Sequence, residues 1–426
     1  MPSKTSEQHS FSRQQIESMQ LQRLNDLILE VKDRPFYRQR NLSHQHPLRS
    51  LDELASLPLL TKEQLLGEAA GHPARVFDLP RERYTRLHQT SGTRGFPMTV
   101  LDTPKDWAWW LECWDHVLDA AGVEQSDVAM MAFSFGPFIG FWTANDALVR
   151  RGAGVVPGGG MTSQQRIQMI LDHRCTVLCC TPTYALHLGA VAEKQGVDLT
   201  KSEIRRIIVA GEPGGSVPAI RNRLEAIWGA SVVDHTGASE IGAWGFGNQL
   251  GTGIHVIESE FIAELLRFDD GSQEGTPVSD GEHAELVLTC LGRSGGPVIR
   301  YRTGDIVKGY RDHDHECGFL FLDGGVLGRA DDMMVIRGVN VFPSSIEAMV
   351  REVAPLAEFR MIATRVDEMD QLAIELEADE VLAVSLAELL RDRLAMRVHV
   401  EAVSAGKLPR FEAKAKRLVD RRKISE

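Results

Sequence analysis

RRIIVAGEPGGSVPAIRNRLEAIWGASVVDH, Arg205 to His235, sets two short apolar runs, RRIIVA and ASVVDH, on either side of VPAIRNRLEAIWG. In the middle segment the apolar residues recur at helical spacing. Strand, helix and strand in that order predict a crossover unit with parallel strands. The same texture extends over residues 127–240, where VAMMAFSF, AGVVP and TVLCC read as strands and TSQQRIQMILDH as a helix. A largely parallel sheet covered by helices follows. Ligands of such sheets sit beyond the carboxyl ends of the strands, so the turns after strands are the places to inspect.

Upstream, QQIESMQLQRLNDLILEVKD (Gln14–Asp33) has helical periodicity and ends before Pro35. A second helix opens with Thr103 as N-cap and Pro104 as its first residue, and stops at Gly122. Its tryptophans are expected to fill a core. Beyond about residue 255, FIAELLRF, EHAELVLTC, PVIRYRT and GFLFLDG follow one another without long helices, which predicts an antiparallel β region. After Asp331 the order reads strand, helix, strand, strand, helix, strand, with IEAMVREV and SLAELLRDRLA as the helices. The expected class is α/β: a large N-terminal domain, residues 1–328, and a small C-terminal α+β domain, residues 329–426.

The chain has 426 residues, 43% hydrophobic and 25% charged, which describes a globular protein. With 47 basic and 59 acidic residues the net charge is −12, and no basic footprint for nucleic acid or a membrane surface is expected. The N-terminus lacks the apolar core of a signal peptide and no apolar run reaches membrane-spanning length. Six scattered cysteines, two of them adjacent in TVLCC, read as buried reduced thiols of a cytoplasmic protein.

Five stretches carry residues suited to chemistry. HQTSGTRGFPMTV (His88–Val100) holds the Ser/Thr/Gly loop Thr90, Ser91, Gly92, Thr93, Arg94 and Gly95, whose hydroxyls and backbone N–H groups can donate to phosphate oxygens. It lacks P-loop spacing, and Phe96 stands where a lysine would be expected. DHTGASEIG (Asp234–Gly242) places Glu240 among small residues as a candidate Mg²⁺ ligand, with AGEP (Ala210–Pro213) opening on the same sheet edge. YRTGD ends on Asp305, a carboxylate able to accept ribose hydroxyls. GRADDMMVIRGVNVFP begins at Gly328, and KLPRFEAKAKRLVDRR centres on Lys414. A zinc site at His313, His315 and Cys317 is set aside, because no fourth ligand is evident.

Taken in order, TSGTRGFP, AGEP, DHTGASE, YRTGD, GRADDMMVIRGVNVFPSSIE and LPRFEAKAKR resemble the adenylate-forming enzymes, most closely the phenylacetate–coenzyme A ligase branch. RPFYRQR and LPLLTKEQL resemble that branch's N-terminal segments, so the resemblance spans nearly the whole chain.

The resemblance implies ATP-dependent conversion of a carboxylic acid to an acyl-adenylate, then transfer to coenzyme A. Lys414 and Glu240 would be catalytic, Glu240 through Mg²⁺. The Ser/Thr/Gly loop would hold the β- and γ-phosphates, with Arg94 in place of the lysine. Gly211, Glu212, Pro213, Asp234, His235 and Thr236 would wall the nucleotide, His235 or a neighbour covering adenine where relatives have an aromatic at Thr236. Asp305 and Arg329 would hold the ribose. Phe133, Phe135, Gly136 and Phe138, with Gly237 and Ala238, would border the acyl group. FSFGPFIGFW contains no Lys or Arg, which favours an aryl or arylacetic acid. The C-terminal domain would turn about Asp331 and present Gly338, Val339 and Asn340 to coenzyme A. Ala413 and Phe411 depart from the family's lysine motif. Transfer to a carrier protein, an amine or a phenol, a nucleotide-binding relative with little catalysis, and a homodimer remain open alternatives.

Overall fold

The computed structural model describes residues 4–40, 42, 47–90, 97–140, 142–248, 250–268, 272, 274–311, 317–330, 334–336, 339–366, 369–394, 396–409 and 417–422. The crossover unit read from residues 205–235 is present. Arg206–Val209 pairs in parallel with Ser231–Ala238, and the helix Pro218–Trp228 links them. Pro218 starts that helix, and Gly229, at φ 64°, ends it in the left-handed region that only glycine enters without strain.

Five strands are parallel in the spatial order Gly154–Pro157, Val128–Met131, Val177–Cys180, Arg206–Val209 and Ser231–Ala238. Side chains alternate across this sheet, and each face has its own core. Cys180, Ile207, Val209 and Val232 pack under the helices Ser163–Asp172, Pro182–Lys194 and Pro218–Trp228. Cys179, Ile208 and Val233 join the opposite core, which includes Trp107, Trp109, Trp110 and Trp114 of the helix Pro104–Ala120. That helix has the expected Thr103 cap, with Asp106 completing a capping box.

Beyond Ala238 the sheet turns antiparallel. It runs through Gly242–Gly247, Gly253–Val256, Phe321–Asp323, Tyr301–Tyr310, His283–Cys290 and Phe261–Arg267. Here the predicted antiparallel region is continuous with the parallel one. All six cysteines are buried, and Cys113, Cys175, Cys179, Cys180 and Cys290 are free thiols. Among the described residues no helix is long and apolar enough to cross a membrane.

From Met334 onward a separate hydrophobic cluster forms around Ile346, Val350, Phe359, Ile374, Leu386 and Leu390. It lies between the helices Pro343–Val353 and Glu380–Leu394 and a sheet ordered His399–Ala402, Met369–Leu376, Phe359–Val366, Leu418–Asp420. The element order differs from expectation at both ends. Met334–Ile336 pairs with a second strand, Val339–Val341, and Leu418–Asp420 adds a last parallel edge. Both extra strands have three residues, too short for periodicity to reveal.

Candidate active site

Register decides what meets what. Cys180, Val209 and Asp234 lie level across the sheet, so the turns after Cys180 and Val209 open on one edge, past which the strand Ser231–Ala238 continues. Ala132 N–H donates to the Cys179 carbonyl at 2.9 Å, which brings Phe133–Phe138 to the same edge.

In the Ala210–Pro213 turn, Gly211 has φ 93°. The Glu212 carboxylate is turned toward the start of the Pro182–Lys194 helix, where its Oε1 accepts from Thr183 N at 2.8 Å and Thr183 Oγ1 at 2.5 Å. An anion there complements the unpaired N–H groups and dipole of the helix start. Asp234 is buried and accepts from Ser216 Oγ at 2.7 Å, which ties this turn to the next strand. Burial raises its carboxyl to about 6 against the pull of that hydrogen bond.

His235 departs from expectation. Its imidazole is buried 4.3 Å from the Trp114 ring, and Nδ1 lies 2.9 Å from the Gly245 carbonyl. Strand alternation sends it into the core between Asp234 and Thr236. Its faces are thus not presented at the sheet edge for a base to stack on. Desolvation holds its pKa down at about 4. Thr236 and Ala238 are half-buried, and Gly237 is exposed.

Glu240 sits in a tight turn closed by Ile241 N–H to the Ala238 carbonyl, at 3.0 Å. Its carboxylate is buried, and Oε1 accepts from Tyr301 OH at 2.9 Å. Lys62 Nζ lies 3.7 Å from the same oxygen. Nothing local singles out Lys62 or the Tyr301 hydroxyl; a bridge between Leu60 and Tyr301 brings their distant segments together. Next along that strand, Asp305 Oδ1 accepts from Arg329 NH1 at 2.7 Å, and the same nitrogen donates to the Thr303 carbonyl at 2.6 Å. The charges of Glu240, Arg329 and Asp305 all act on the Tyr301 phenol, whose pKa is pushed well up, chiefly by burial.

Thr90 closes the mouth of the Ser/Thr/Gly loop, its N–H donating to the Met98 carbonyl and its hydroxyl accepting from Met98 N–H. Ser91, Gly92, Thr93, Arg94, Gly95 and Phe96 lie outside the described residues, as do Asp331, Gly338, Ala413 and Lys414. His313 and His315 lie outside them too; Cys317 is buried. Val339 and Asn340 are described as strand backbone. On the acyl side, Phe133 and Phe135 have ring centroids 4.6 Å apart, and Trp142 meets Phe135 edge-on at 4.6 Å. Trp142 Nε1 donates to the Gly136 carbonyl at 3.0 Å, while Phe138 is 52% exposed.

Among the described residues no group of three His, Cys, Asp or Glu could hold a metal. One buried carboxylate does fit Mg²⁺, which keeps several waters and takes most of its other ligands from nucleotide phosphates.

Residues 338–422 match the family model for the AMP-binding enzyme C-terminal domain. The phenylacetate–coenzyme A ligase of Escherichia coli is 30% identical over 430 residues, covering 96% of each chain. That of Thermus thermophilus is 30% identical over 455 residues, covering 98% of this chain and 99% of the relative. A solved 2-hydroxyisobutyryl-CoA ligase in its postadenylation state superposes with a TM-score of 0.89 at 24% identity, covering 100% of this chain and 94% of the other. In its thioesterification state the TM-score is 0.72 at 25% identity, covering 99% and 94%. Fold and sheet-edge site thus define an adenylate-forming enzyme. Within that class, the chain belongs to the phenylacetate–coenzyme A ligase family.

Proposed function

We propose that this protein converts an aryl or arylacetic acid to its coenzyme A thioester in two steps on one site. The observation that carries the reading is the Glu240 turn held by Tyr301 on the strand of the Asp305–Arg329 pair, with the Ala210–Pro213 turn ending the strand beside the one that leads to Glu240.

In the first step the substrate carboxylate attacks the α-phosphate of ATP and pyrophosphate leaves. Charge repulsion and positioning dominate this barrier. Lys414 is assigned to the charge between carboxylate and α-phosphate. The carboxylate of Glu240, oriented by Tyr301, is assigned to Mg²⁺, which would neutralise phosphate charge when bound. Asp305 is assigned to the ribose hydroxyls, with Arg329 fixing its orientation. Lys62, whose ammonium lies 3.7 Å from Glu240, is assigned together with Arg94 to supply the cation that Phe96 does not. The apolar, aromatic 133–138 segment supports an aromatic acid.

In the second step residues 329–426 turn about Asp331 and bring the Gly338–Asn340 face to coenzyme A, whose thiol displaces AMP. Overall, the chain superposes better on the postadenylation state than on the thioesterification state of the 2-hydroxyisobutyryl-CoA ligase. The partners in this reading are small molecules, with a carrier protein or a second copy of the chain as alternatives. Free buried thiols support a cytoplasmic compartment.

The test is pyrophosphate release across a panel of aryl acids, with and without coenzyme A. Turnover with coenzyme A is expected. Adenylate that forms but passes only to a carrier protein or amine would change the acceptor. Absence of pyrophosphate with every acid would favour a nucleotide-binding relative with little catalysis.

A further inference from the structure

Arg293 and Asp102 form an ion pair at 2.8 Å with both side chains fully buried. Arg293 Nε also donates to Asp102 Oδ1 at 2.8 Å, and Trp110 Nε1 donates to the same oxygen at 3.1 Å. The guanidinium lies 5.2 Å from the Phe77 ring and 5.4 Å from the Trp110 ring. Asp102 Oδ2 is buried without a hydrogen-bond partner among the described residues.

Such a pair is a poor device for stability. Desolvating two charges is costly, and an apolar replacement of similar size is often neutral or better. The third contact gives it a purpose. Arg293 NH1 donates to the carbonyl of Ser239 at 2.7 Å. That carbonyl belongs to the peptide unit that carries Glu240, inside the turn closed by Ile241 and Ala238. Glu240 is therefore gripped at both ends, its backbone by Arg293 and its carboxylate by Tyr301. Through Asp102 the same guanidinium is fixed to Thr99–Asp102, a strand of the hairpin whose connection is the Ser/Thr/Gly loop.

We propose that Arg293 is a positioning residue for the cation site: through the Ser239 carbonyl it presets Glu240 to accept Mg²⁺ with ATP. This rests on the assignment of Glu240 to Mg²⁺ under Proposed function. A partner that orients a metal ligand is typically worth 10- to 100-fold in metal affinity.

The experiment measures the dissociation constant of ATP by titration calorimetry with and without Mg²⁺, and takes the ratio as the coupling between cation and nucleotide. Arg293→Lys keeps the charge facing Asp102 but replaces the planar fork by a point donor on a shorter reach. The double variant Arg293→Met, Asp102→Leu replaces the buried pair by apolar groups and keeps the fold in play. Both should lower the coupling about tenfold. The double variant should do so while still unfolding in one cooperative transition, and Mg²⁺-free ATP affinity should change little in either. Wild-type coupling in the double variant would overturn the inference. So would a loss of Mg²⁺-free ATP affinity as large as the loss of coupling, which is what general disruption produces. Glu240→Ala separates the two levels. If it retains the wild-type coupling, the cation assignment itself fails and the role of Arg293 falls with it.

Discussion

At 3.7 Å from Glu240 and 39% exposed in its side chain, Lys62 is close enough to act and free enough to move. Replacing it with Met should slow single-turnover pyrophosphate formation about 100-fold, the order expected for one charge-stabilising donor. Thermal stability should barely change, since a partly exposed ion pair contributes about 0–1 kcal/mol. Lys62→Arg should recover most of the rate. An unchanged rate in Lys62→Met would leave Arg94 and the loop hydroxyls to supply that site. Lys414→Ala should abolish adenylate formation yet spare thioester formation from supplied acyl-adenylate; equal loss in both half-reactions would remove Lys414 from the first step. Glu240 and Asp305 were legible as candidates because their motifs are local. The aromatic character of His235 is visible in sequence, whereas the face of the strand it occupies is set by packing on Trp114.

Among the elements, the Pro104–Ala120 helix shows how far local signals reach. Thr103 and Pro104 mark its start correctly, and Trp107, Trp109, Trp110 and Trp114 are buried as expected. Hidden from sequence was the second task of Asp106, which accepts from Thr103 N at 2.9 Å and from Gly295 N at 2.9 Å. It joins the cap to a loop 189 residues away. Thr103→Ala should therefore cost about 1–2 kcal/mol, the usual value of a lost cap. Asp106→Ala should cost roughly 3 kcal/mol, because buried donors on both sides lose their partner. Urea denaturation of the two variants checks the ranking, and equal losses would limit Asp106 to the cap.

For the molecule as a whole, pH is the coarsest lever. His9, His88 and His235 have pKa values held down at about 4, in each case chiefly by desolvation. A folded pKa below the unfolded one means the unfolded chain binds more protons. Stability from these groups is then complete above about 6.5 and is lost as pH falls toward 4. Asp234, raised to about 6, opposes this between pH 4 and 6. Asp102, also raised by burial, acts in the same sense, but the three histidines outnumber the two carboxyls, so the melting temperature should drop across that interval, and less steeply in His9→Gln. An unchanged slope would remove His9 from the account. Asp331→Pro tests the two-state reading at the same scale: fixing φ should leave adenylate formation intact and block thioester formation. By itself the sequence determined the parallel sheet, the antiparallel extension, the helices Arg13–Val31 and Pro104–Ala120 and the order of the motifs, because periodicity, caps and loop chemistry are local properties. The tertiary structure alone decided that Lys62 and Tyr301 meet Glu240, that Arg293 grips the Ser239 carbonyl, and that His235 turns inward. Those contacts join segments dozens to hundreds of residues apart, or depend on which face of a strand is buried, and only the register of a folded sheet fixes either.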